Sequence, residues 1–149
     1  MKPIEQCFTR NADADDSYFS LNDLTPDLNY ASLVQSMSLD VVQSLVCGSY
    51  SGDQLILVQD EDQRLGLLVF GYGSCSGCDS LQACNSLDDL SELRDRLYRD
   101  IAWFGSAAEF DAIRAKWEES NSWMAHDDAV REAYAEIKKK VKLFYRPTT

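Results

Sequence analysis

At 149 residues, 45% apolar and 11% aromatic, the chain is large and apolar enough to bury a core without disulfide staples, which excludes a wholly disordered chain. Its 25 acidic against 14 basic side chains give a formal charge of −11, and a surface that negative repels polyanions, so direct nucleic-acid binding is disfavoured. No run approaches the roughly 20 apolar residues of a membrane helix and MKPIEQCFTR lacks a secretory apolar core, so the chain is expected in the cytoplasm, a host's if a phage encodes it, with no membrane partner.

One domain over 1–149 is expected, with residues 1–24 irregular or locally ordered, since NADADDSYFS is polar and acidic with scattered aromatics. Thr25 as a cap and Pro26 at a first helical position predict a helix, and Val34, Met37, Val41 and Leu45 recur at helical steps, with Ser36 and Ser38 as a break. CGSYSGD reads as a turn. QLILVQ and RLGLLVFGY, separated by DEDQ, then predict a hairpin of 54–59 with 65–72, and their unbroken apolar runs predict helices over both faces.

Three helices should come after the hairpin. Ser86 with Asp89 forms a capping box before the stripe Leu90, Leu93, Leu97, Ile101 and Phe104; Ser106 with Glu109 forms another before Phe110, Ile113 and Trp117, with Gly105 as the stop between them. A last helix of about 127–144 carries Val130, Tyr134, Ile137, Val141 and Phe144, acids first and lysines last as the helix dipole favours, and Pro147 ends it. The resulting class is α+β: a small antiparallel hairpin or meander against about four helices.

Charge is uneven. Residues 1–100 hold 17 acids and 6 bases, and 101–149 hold 8 of each, with a basic C-terminal segment, 137–149, containing Lys138, Lys139, Lys140, Lys142 and Arg146. Such a bias is either a plain solvated surface or the mimic of a polyanion competing for a basic groove. Candidate contact residues on the acidic side are Asp53, Asp60, Glu61, Asp62, Asp79, Asp88 and Asp89, joined by Trp123, which lies off any helical stripe. Trp103, Phe104 and Trp117 fit the core better than a binding surface. The pairs Asp15-Asp16, Asp88-Asp89 and Asp127-Asp128 lack calcium-loop spacing, and the last two suit helix starts.

The stretch GYGSCSGCDS, 71–80, holds the densest chemistry. Cys75 and Cys78 have zinc-knuckle spacing, and Cys84 and Cys47 are the candidates to complete a tetrahedral site, with His126 the lone imidazole. Five cysteines without an export signal argue for thiols rather than a disulfide framework. The same pair at a helix start suggests redox chemistry and resembles thioredoxin-like proteins over four residues; that family implies a parallel βαβ unit and a cis-proline, for which Pro3, Pro26 and Pro147 are badly placed. GSCSG also has the form of a nucleophile elbow, without the large parallel sheet such elbows need. No lysine lies between Lys2 and Lys116 to support a phosphate cradle. The favoured reading is structural: glycines permit a sharp turn, and Asp79 or Ser80 caps the segment beyond it.

The block from Tyr50 to Phe104 resembles a set of small uncharacterised proteins of bacteriophages and their bacterial hosts, on Tyr50, Gly52 and Asp53, then Gly73 to Asp79, then Trp103-Phe104. The resemblance implies an accessory phage-type product and brings no catalytic residue. Together with the absent triad, it yields the expectation of a non-enzymatic protein without cofactor that binds a host protein, for example a nucleic-acid-binding defence protein, and modulates or inhibits it in an anti-restriction or anti-CRISPR role. The alternative is a zinc-binding or thiol-active protein. The sequence leaves oligomeric state open.

Overall fold

A computed structural model describes residues 1–14, 19–48, 51–75, 77, 79–120 and 128–146. Tyr50, Cys78, Trp123, His126, Asp127 and Pro147, together with Asp15 and Asp16, lie outside them.

The centre is an antiparallel meander. Strands β3 (Asp40–Cys47), β4 (Gly52–Gln59), β5 (Leu65–Tyr72) and β6 (Ala102–Phe104) lie side by side in chain order. The expected hairpin is β4 with β5, in register from Gly52 opposite Tyr72 to Gln59 opposite Leu65. Leu55, Ile56, Leu57 and Val58 are all fully buried, each worth about 1.5–3 kcal/mol, because alternate side chains enter two different cores. Ile56, Val58 and Leu68 face one core; Leu55, Leu57, Leu65 and Leu67 face the other. Helices α1 (Ile4–Cys7), α2 (Tyr30–Gln35) and α3 (Leu87–Asp100) close the first, and α4 (Ala107–Ser120) and α5 (Asp128–Phe144) the second. The class is α+β.

Three expectations change. The long helix from Thr25 is instead α2 followed by β3: the Thr25–Pro26 bond is cis, Asn29 caps α2 in a reciprocal box with Ser32, and Ser38 at φ 62° ends it. The step of four from Val41 to Leu45 suits a strand as well as a helix, and β-branched Val41, Val42 and Val46 favour the strand. An irregularity between Val41 and Gln43 then sends Val41 to the first core and Leu45 to the second.

Helix α3 stops at Asp100, so Ile101 and Phe104 leave the stripe, and Ala102–Phe104 pairs with β5 as an edge strand. Gly66 opposite Trp103 makes room for that crossing, since a Cβ there would meet Ile101 Cγ2 at 2.6 Å and Trp103 Cε3 at 2.8 Å.

The N-terminal segment is more built than its composition suggests. β1 (Thr9–Arg10) pairs with β2 (Leu24–Thr25), and Ile4, Phe8 and Leu24 are buried in the first core.

Both later caps form one residue wider than expected. Ser86 Oγ accepts the N–H of Asp89 at 3.0 Å, but the Asp89 carboxylate reaches past Ser86 to the N–H of Asn85 at 2.9 Å. Ser106 Oγ likewise accepts the N–H of Glu109 at 3.1 Å, and the Glu109 carboxylate takes the N–H of Gly105. The basic end of α5 lies on the body, anchored by Ile137 and Val141, with Lys138 paired to Asp111 of α4 at 2.8 Å.

Candidate functional site

The glycine- and thiol-rich corner is closed by one carboxylate. Asp79 is 6% exposed; its Oδ2 accepts the N–H of Gly73 at 3.0 Å, and its Oδ1 accepts the N–H of Leu81 at 2.9 Å and of Gln82 at 3.2 Å. The Tyr30 hydroxyl donates to the same Oδ1 at 2.7 Å, and Gln82 Nε2 donates to the carbonyl of Gly73 at 3.0 Å. Four donors on one buried carboxylate offset its desolvation and fix both ends of the corner. Burial, then the bond to Asp79, holds the Tyr30 phenol protonated well above its usual range. Asp79 thus caps the turn at Leu81 and Gln82, as the sequence suggests, and is withdrawn from the candidate contact set.

The cysteines do not converge as a zinc site requires. Cys47 belongs to the second core, its thiol donating to the carbonyl of Ala129 at 3.6 Å, while Cys84 belongs to the first. The sheet separates them, so the set Cys75, Cys78, Cys84 and Cys47 loses Cys47. Cys84 Sγ donates to the carbonyl of Ser80 at 3.4 Å, and burial, with the negative Asp89 adding to it, pushes its thiol up to about 11, which disfavours the thiolate a metal needs. Cys75 is exposed. Among the described residues no group of three His, Cys, Asp or Glu side chains is placed to hold a metal.

The acidic candidates divide by what they already do. Asp60 organises the β4–β5 turn: Oδ1 accepts the N–H of Asp62 at 3.0 Å and of Arg64 at 2.8 Å, and Oδ2 takes Arg64 Nε at 3.0 Å. Desolvation opposes ionisation there, but the bonds from Arg64 win and lower its pKa. Arg64 also lies 4.2 Å above the Trp103 ring, so the turn is braced against β6. Asp89 serves the α3 cap, and Asp53 sits within β4 opposite Cys47. Glu61, Asp62 and Asp88 are exposed or half-buried on the surface, and Asp40, Asp95 and Asp100 are exposed.

No protein-family model matches the chain, and no curated protein or solved structure matches it either.

A groove of about 540 Å³ runs beside α3 from Ser80 and Cys84 to Arg96 and Arg99, with Asp89, Glu92 and Asp95 also on its wall. Its mixed signs favour no simple anion or cation. No helix among the described residues is long and apolar enough to cross a membrane. Sequence reasoning missed Tyr30 as the partner of Asp79, because nothing in local spacing links residues 49 apart. It also missed Arg94, one of the two charged side chains buried among the described residues, which looks like an ordinary polar position of α3.

Proposed function

We propose that the chain is a small accessory protein of phage type that binds a host protein through its acidic side and modulates or inhibits it, without chemistry of its own. The observation that carries this reading is the surplus of 17 acids over 6 bases in residues 1–100, of which Glu61, Asp62, Asp88, Glu92, Asp95 and Asp100 stand at the surface. Surface carboxylates that serve no internal bond cost solvation nothing in the free state and attract a basic groove at long range. A nucleic-acid-binding defence protein has such a groove, so polyanion mimicry in an anti-restriction or anti-CRISPR role fits the charge. The basic end of α5 supports the same reading, because its packing onto the second core leaves the first-core side acidic.

The test is capture from bacterial lysate on the immobilised full chain at low and at high salt. A specific partner retained at low salt and released as salt rises is the expected result. Retention that ignores salt, or no retained protein at either, contradicts the reading.

A further inference from the structure

Arg94 is 4% exposed on α3, and among the described residues no carboxylate pairs with it. Its Nη1 reaches the carbonyl of Ser36 at 3.4 Å and Ser36 Oγ at 3.5 Å, both at the long end of hydrogen bonding, and its Nε has no partner. A guanidinium stays charged when buried, so this arrangement lacks the anion that buried cations ordinarily have. The remaining neighbour within bonding range is Cys7 Sγ, 3.8 Å from Nη1, at the end of α1 and half-buried. Elsewhere around it, Glu5 of α1 is exposed to solvent, and the hydroxyl of Tyr30 on α2 is committed to Asp79.

We infer that Cys7 is a reactive modification site that takes small-molecule disulfides, with Arg94 as the group that favours its anionic sulfur. This goes beyond the host-binding reading and is independent of it. In the step, Cys7 releases its proton to water and its sulfur attacks one sulfur of the disulfide; that S–S bond breaks, a mixed disulfide forms on Cys7, and the second sulfur leaves as a thiolate. Cys7 is oxidised and the leaving half is reduced, so the exchange balances without a further oxidant. Selectivity arises from placement: Cys84 and Cys47 are buried in the two cores away from any guanidinium contact of this kind.

The experiment uses the full chain with oxidised glutathione at pH 7, quenched in acid and read cysteine by cysteine by peptide mass spectrometry. Cys7 of the folded chain is expected to react about tenfold faster than Cys7 of the same chain unfolded in urea, as an activated thiol should. Arg94→Met, its fold checked by circular dichroism, is expected to lose that gain, and Arg94→Lys to keep most of it. Folded Cys7 reacting no faster than unfolded Cys7 overturns the inference, and so does a folded Arg94→Met that keeps the wild-type rate. The comparison with the unfolded wild-type chain decides the matter even if the Met variant does not fold.

Discussion

The hydroxyl of Tyr30 and Oδ1 of Asp79 lie 2.7 Å apart, beside the first core, across 49 residues of chain. That contact joins α2 to the corner after β5 and turns a stretch that reads as a chemical motif into a clasp. Asp79→Ala strips the Gly73, Leu81 and Gln82 N–H groups of their acceptor and is expected to cost about 3–5 kcal/mol in urea unfolding. Tyr30→Phe should cost about 1.5–3 kcal/mol, and the double variant less than the sum, because both changes remove the same bond. Additive losses would show that the two residues act separately.

Alkaline pH should unfold the chain through the same region. Burial raises the phenols of Tyr30 and Tyr134 and lifts the Cys84 thiol from 9.0 to about 11, so the folded chain keeps protons that the unfolded chain releases. Stability contributed by these groups is therefore complete below the unfolded thiol value and falls as pH rises past it toward the folded values. Urea midpoints measured from pH 7 to 11 should decline above about 9, and the phenolate absorbance of the two buried tyrosines should appear with unfolding. A midpoint constant to pH 11 would contradict the burial of these groups.

Gly66 is the tightest side-chain crossing in the sheet. Gly66→Ala drives a methyl into Ile101 and Trp103 and is expected to destabilise by about 1–3 kcal/mol. Combining it with Trp103→Ala should recover part of that loss in a thermal melt, since the second change removes one of the two obstructing side chains.

Metal should contribute nothing to the fold. With Cys47 and Cys84 on opposite sides of the sheet, dialysis against a chelator is expected to leave the melting temperature unchanged, and elemental analysis should find no stoichiometric zinc. One zinc per chain with a chelator-sensitive melt would revive the zinc-binding alternative.

The range of the forces involved decides which features the sequence discloses and which it hides. The β4–β5 hairpin is legible because Leu55 to Val58 need burial on successive residues, a local demand that two-sided covering satisfies. The α3 and α4 starts are legible because Ser86 and Ser106 act on N–H groups three residues away. β3 is hidden because its irregularity at Val41–Gln43 breaks the alternation that marks a strand, leaving a spacing that imitates a helix. β6 is hidden because three residues carry too little pattern, and Phe104 becomes a strand residue only through its pairing with Leu65. The candidate site divides the same way. The exposure of Glu61 and Asp62 on a polar turn is readable, whereas the burial of Asp79 depends on Tyr30, and no local pattern announces it.

The most direct measurement is the binding of the captured host protein to the wild-type chain and to the triple variant Glu61→Lys, Asp62→Lys, Asp88→Lys, by calorimetry at two salt concentrations. Host binding through the acidic side predicts an affinity at least about tenfold weaker in the folded variant, with a shallower salt dependence, since three charges on the contact surface are reversed. A folded variant that binds as tightly as wild type, with the same salt dependence, would contradict it.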